Sequence, residues 1–130
     1  MNVLVVEPMK KPYNKEIDDS LESLQREVGG YIEVHYPFGD RVALICHGEG
    51  KLIGMELNRA LRYGDGALYD VIAGTFLIAG LSEENFDSLS PELSEKYEKL
   101  FHTPERFFRL GKEIIAVPVG RSNKHDWKNV

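Results

Sequence analysis

Val71-Ile72-Ala73-Gly74-Thr75-Phe76-Leu77-Ile78-Ala79 decides the fold class. The run is apolar almost throughout and lacks the alternation of a strand with one wet face. It reads as a central strand buried on both faces. Gly74-Thr75 inside it marks a bulge or a close backbone approach that would aim Thr75, or else tight packing of a helix over the sheet. Val71 to Leu81 is about half as long as a membrane-spanning helix requires, so no span is expected.

Working back towards the N-terminus, Gly64-Asp65-Gly66 is a turn and Asn58 to Arg62 reads as a short turn or helix. Val42 to His47 reads as a strand, with Leu52 to Leu57 as its hairpin partner across Gly48-Glu49-Gly50-Lys51. Tyr31 to Tyr36 alternates, with Tyr31, Glu33 and His35 on one face and Ile32, Val34 and Tyr36 on the other, and it ends at Pro37. Before it lies a helix with Asp19 as its cap and Glu22 as the reciprocal partner. Ile17, Leu21, Leu24 and Val28 form its apolar face, and Gly29 closes it in a left-handed cap. Val3 to Glu7 is the first strand and Met9 to Lys15 a loop.

Towards the C-terminus, Ser82 to Leu89 reads as a capped single turn. Ser90-Pro91-Glu92 then starts a second helix, with cap, first-turn proline and an acid at the positive end of the dipole. Leu93, Tyr97, Leu100 and Phe101 are its apolar stripe. Phe107 to Leu110 and Glu113 to Val119 read as a closing hairpin about Gly111-Lys112. The expectation is one α+β domain over residues 1–120: a mixed, mostly antiparallel curved sheet with two main helices on one face. Arg121 to Val130, whose one large apolar group is Trp127, is expected to be a loosely ordered tail.

The 130 residues are 42% hydrophobic and 28% charged, as in a soluble globular domain. Sixteen basic against 21 acidic residues give a net charge of −5, so direct nucleic-acid binding through clustered Lys and Arg is not expected. The one cysteine, Cys46, has no internal disulfide partner. The N-terminal apolar run has no basic lead-in or cleavage site, so a cytoplasmic protein is expected rather than a secreted one.

The familiar catalytic signatures are missing: no phosphate-binding loop, no nucleophile elbow and no paired zinc motif. Cys46 and His47 are strand neighbours on opposite faces, so Cys46 reads as a buried structural thiol. Pairing of the second and third strands would bring His35 near His47, with Glu33 close by. No metal-ligand spacing supports a site there, and a half-solvated polar face is the plainer reading, so no metal or cofactor is expected. Arg59 and Arg62, three apart, would share one face of a helical turn beside Asn58. Their planar donors suit a phosphate or carboxylate, with Tyr31, Tyr63 and Tyr69 as stacking surfaces. The competing reading is a solvated turn whose arginines pair with Asp65 or Asp70.

Leu24-Gln25 followed by Val28-Gly29-Gly30-Tyr31-Ile32-Glu33 resembles the opening motif of domain-of-unknown-function family 3846. Glu49-Gly50-Lys51-Leu52 with Asn58-Arg59, and Tyr69-Asp70 to Ala73-Gly74-Thr75-Phe76, are similar to the same family, over about Val3 to Leu81. The resemblance implies a small protein of phages, plasmids and conjugative elements, mainly of Firmicutes, working in the bacterial cytoplasm. It carries no catalytic residue with it. The functional expectation is a non-enzymatic accessory protein, in a counter-defence role. It would bind a small anionic, nucleotide-like ligand through Asn58, Arg59, Arg62, Tyr31, Tyr69 and Thr75, as a homodimer. The alternatives are an acidic inhibitor or DNA mimic acting on a host defence protein through Ser82 to Glu98, and a hydrolase or transferase with an unrecognised site.

Overall fold

Strands that are apolar at consecutive positions must be covered on both faces, and three such strands organise this molecule. A computed structural model describes residues 1–119. The chain runs β1 (Asn2–Val6), β2 (Tyr13–Glu16), α1 (Leu21–Val28), β3 (Ile32–His35), β4 (Val42–His47), β5 (Leu57–Arg62), β6 (Leu68–Ala73), β7 (Phe76–Leu81), β8 (Phe86–Asp87), α2 (Pro91–Leu100), β9 (Glu105–Leu110) and β10 (Glu113–Pro118). The class is α+β. The main sheet has the order β2-β1-β7-β4-β3, with β8 added along β7, while β5-β6 and β9-β10 are separate hairpins. Among the described residues every pairing is antiparallel.

The deciding apolar run is two strands rather than one. Gly74 adopts φ 77°, a left-handed conformation that turns the chain out of the small hairpin and into the large sheet. The Gly74 amide donates to Glu56 O at 2.7 Å. β6 therefore pairs with β5, and β7 runs between β1 and β4.

Alternation along the central strands divides the core into two layers. Leu4, Val6, Val42, Leu44, Phe76 and Ile78 pack with Tyr97 and Phe101, from the second helix and its cap, and with Leu61 and Ile72 of the small hairpin. Val3, Val5, Ala43, Ile45, Leu77 and Ala79 pack with Leu24 and Val28 of α1. The two helices thus lie on opposite faces, not on one. One helical layer would have left half of the apolar side chains of β1, β4 and β7 in water, at about 1.5–3 kcal/mol for each large one.

α1 is capped by Ser20, one residue later than Asp19, with Ser20 Oγ accepting from the Ser23 amide at 3.1 Å. Leu21 consequently starts the helix facing outward, 57% exposed. Gly29 closes it at φ 87°. Ser90 and Pro91 open α2, and Leu100 points to solvent. β2 has no apolar signature and pairs with β1 although all four of its residues are exposed, and β8 forms where a capped single turn is expected, its Phe86 half-buried against the α1-side core. Leu52 and Ile53 are exposed in a turn, and the expected hairpin of Leu52 to Leu57 with Val42 to His47 does not form: β5 begins only at Leu57 and pairs with β6, while β4 lies between β3 and β7. The expected tail, Arg121 to Val130, lies outside the described residues. Among the described residues no helix is long and apolar enough to cross a membrane.

Candidate functional site

Asn58 to Arg62 form β5, not a helical turn. Along a strand, Arg59 and Arg62 do not share a face by spacing alone. Both nevertheless line one hollow, on a strand whose register with β6 shifts between Leu61 and Arg62. Asn58 is fully buried. Its Nδ2 donates to Val6 O at 2.8 Å and Gly74 O at 2.9 Å, tying the strand to β1 and to the turn before β7.

Arg59 is 1% exposed. Its Nε donates to Phe101 O at 3.1 Å, and its Nη2 to Phe101 O at 3.0 Å and Lys10 O at 2.7 Å. Its Nη1 donates to Asn58 O at 3.3 Å and Asn58 Oδ1 at 2.8 Å. All five guanidinium N–H groups thus meet an oxygen. Burial works against the charge and Glu105 sustains it. Arg59 is a clamp joining β5, the end of α2 and the loop after β1, and it offers no donor to a ligand.

Arg62 differs. Its side chain is 39% exposed, and its Nη2 donates to Glu105 Oε2 at 2.7 Å. Glu105 Oε1 accepts from the Ala60 amide at 2.9 Å. Neither acid of the competing sequence reading holds the arginines. Asp65 accepts from the Ala67 amide within its own turn, and Asp70 pairs with Lys51. Thr103-Pro104-Glu105 has the local pattern of a helix start, which hides Glu105 as a partner for Arg62, whereas Glu105 opens β9.

These residues wall a hollow of about 620 Å³ with Phe38, Tyr63, Tyr69, Phe101 and Thr103. The rings of Tyr63 and Tyr69 stand 4.9 Å apart and tilted by 37°. Burial, then Asp70 and Tyr63, push the Tyr69 phenol above its ordinary value, so it stays neutral at physiological pH. Among the described lining residues the charges are two guanidinium groups and one carboxylate, a surplus of one positive charge. Of the expected ligand residues, Arg59, Arg62 and Tyr69 meet here, with Asn58 behind the wall. Tyr31, 78% exposed ahead of β3, and Thr75, between β6 and β7, do not line the hollow.

The β3–β4 register sets Glu33 opposite Cys46 and Ile32 opposite His47. His35 and His47 therefore face opposite sides and do not form a pair. His47 lies against Gly30, its Nδ1 accepting from the Glu49 amide at 2.9 Å. Cys46 is buried, its thiol pushed up to about 11 chiefly by burial, with Glu33 and Asp70 adding to it. In the acidic stretch Glu83, Glu84, Asp87, Glu92 and Glu95 are exposed.

A family model described as a domain of unknown function (DUF3846) matches residues 1–102. No curated protein matches, and no solved structure matches. The matched span holds both helices and the β5–β6 wall and stops short of β9, the strand that carries Glu105.

Proposed function

We propose that this chain, which belongs to the DUF3846 domain family, is a non-enzymatic accessory protein that captures a small anion carrying a planar ring, a nucleotide-like ligand, in the hollow between β5–β6, the end of α2 and β9. The observation that carries this reading is the charge surplus beside a tyrosine pair. A concave, largely apolar wall with a few convergent polar groups is the usual form of a small-molecule site. Tyr63 and Tyr69 present ring faces for stacking. Arg62 is the half-exposed donor, able to swing one edge of its planar fork from Glu105 to a phosphate or carboxylate. Arg59 acts at a distance: locked in the wall, it contributes a fixed positive field in a region of low dielectric. The ligand class fits a counter-defence role in a bacterial cytoplasm, the sequestering of a nucleotide signal by a protein of a phage or mobile element.

Calorimetric titration of the full chain with cyclic mononucleotides, cyclic dinucleotides and ADP-ribose tests the proposal. One of these binds, and Arg62→Gln weakens it by about 10–100-fold, the worth of one charge-assisted hydrogen bond, with an unchanged circular dichroism spectrum. Silence with every probe, or equal binding by Arg62→Gln, refutes it. Arg59→Ala is not a binding test, because Arg59 holds the wall together.

A further inference from the structure

A second group of chemically active side chains stands apart from the tyrosine hollow, on the ladder between β3 and β4. Glu33 and His35 are two apart on β3 and share a face. Cys46 is the direct cross-strand partner of Glu33. His35 opposes Leu44, which places it on the diagonal from Cys46. Spacing along the chain conceals this group, because its third member comes from the neighbouring strand. One ligand atom from each of Glu33, His35 and Cys46 lies within 4.8 Å of the others. All three line a hollow of about 360 Å³, shared with Lys51 and Asp70.

We propose that Glu33, His35 and Cys46 form a binding site for a thiophilic divalent cation, Zn²⁺ or its like, with its fourth position open to this hollow. Tetrahedral zinc bonds of about 2.0–2.3 Å put neighbouring ligand atoms about 3.3–3.8 Å apart. The cluster therefore closes on an ion by shifts of roughly 1 Å. Glu33 and His35 have half-exposed side chains, 52% and 36%, that can rotate into place, and Cys46 is fixed in the core strand. The donor set selects the metal: sulfur and imidazole favour Zn²⁺, Co²⁺ or Cu over Mg²⁺ and Ca²⁺. Charge closes as well. Cys46 loses its proton to solvent as the metal–sulfur bond forms, and thiolate plus carboxylate then carry two negative charges against two positive. The contact between His35 Nε2 and Glu33 Oε2, 3.4 Å, shows that the side chains already converge. Across the hollow Lys51 is held by Asp70, which also accepts from the Val71 amide, so the cation is kept from the sulfur by a bound partner.

The test uses the full chain after chelator treatment, titrated with Co²⁺ alone. One equivalent gives tetrahedral visible bands together with a thiolate-to-cobalt charge-transfer absorption, and one equivalent of Zn²⁺ abolishes both. Cys46→Ser removes the charge-transfer absorption. His35→Ala, at a half-exposed position that leaves the core intact, weakens Co²⁺ binding at least about tenfold, the lower end of what losing even an outer-shell partner costs. Zn²⁺ also raises the melting temperature of the unaltered chain more than that of His35→Ala. No charge-transfer absorption overturns the site. So does an affinity equal in His35→Ala and the unaltered chain, since the sulfur would then be binding metal without the triad.

Discussion

Arg59 gives all five of its N–H groups to oxygens of its neighbour Asn58 and of two segments distant in sequence, at Lys10 and Phe101. Removing it leaves buried carbonyls unpaired, and Arg59→Ala should lower the unfolding free energy by about 3 kcal/mol, read from urea midpoints. Arg59→Lys should fare little better, because an ammonium presents its donors from one point and cannot reach Phe101, Lys10 and Asn58 together. The residue type was legible as a candidate site, but its task was not: helical spacing suggested a free fork, and a buried strand position made it a clamp. Cys46 illustrates the reverse. Its apolar neighbours announced burial, and the thiol stands at about 11 against an ordinary 9.0. The folded chain holds that proton more tightly than the unfolded chain does. Stability is level below about pH 9 and falls as the pH rises towards 11. Tyr13, Tyr69 and Tyr97 are shifted upward too and act in the same direction, so the difference between the chain and Cys46→Ala isolates the thiol. The unaltered chain should lose stability over this range by more than the variant, and equal slopes would contradict the assignment.

Helices were the readable elements because their ends carry local chemistry. Ser90 and Pro91 at α2 and Gly29 after α1 serve as their types dictate. Ser20 and Asp19 are adjacent and both carry side-chain acceptors, so the local sequence does not choose between them, and it is Ser20 that accepts from the Ser23 amide. Ser20→Ala and Ser90→Ala should each cost about 1 kcal/mol in chemical denaturation, whereas Asp19→Ala should cost less than either. Strands were readable only where burial wrote a pattern. β4 matches Val42–His47 to the residue. β2 has almost nothing to bury and is held by the backbone ladder, which leaves no mark on side-chain choice, and β8 is two residues long, so its half-buried Phe86 writes no alternation. The break between β6 and β7 shows the same division. Gly74 was conspicuous, but that it transfers the chain between sheets depends on contacts from elsewhere. A Cβ at Gly74 would stand 2.7 Å from Met55 Sδ, on a backbone already at φ 77°. Gly74→Ala should therefore destabilise by more than the roughly 1–2 kcal/mol of the left-handed conformation alone. A variant within about 0.5 kcal/mol of the unaltered chain, the range of ordinary surface changes, would place the strain elsewhere.

At the scale of the molecule, the hollow joins parts that the chain keeps far apart: a hairpin at residues 57–73, the end of α2 and a second hairpin at residues 105–118. No local window of sequence contains it, so Arg62 could be nominated while its counter-charge could not. The family match ends at residue 102, yet the carboxylate that neutralises Arg62 and accepts from the Ala60 amide belongs to β9. Glu105 thus has two roles that substitution separates. Glu105→Gln keeps an oxygen for the Ala60 amide and removes the negative charge, so the hollow goes from a surplus of one positive charge to two. Folding should weaken by about 1 kcal/mol, the size of a partly exposed ion pair. Anion capture should tighten by about tenfold, because Arg62 no longer has to leave a carboxylate to meet a phosphate. Glu105→Ala removes both roles, orphans a buried amide and should cost about 2–3 kcal/mol. Paired denaturation and calorimetry on the two variants read these effects independently. Tighter binding with lower stability in Glu105→Gln is the result that assigns the hollow to an anion. Weaker binding in that variant would mean that the carboxylate itself contacts the ligand, and the captured molecule would then carry a hydrogen-bond donor or a positive charge where this reading places a negative one.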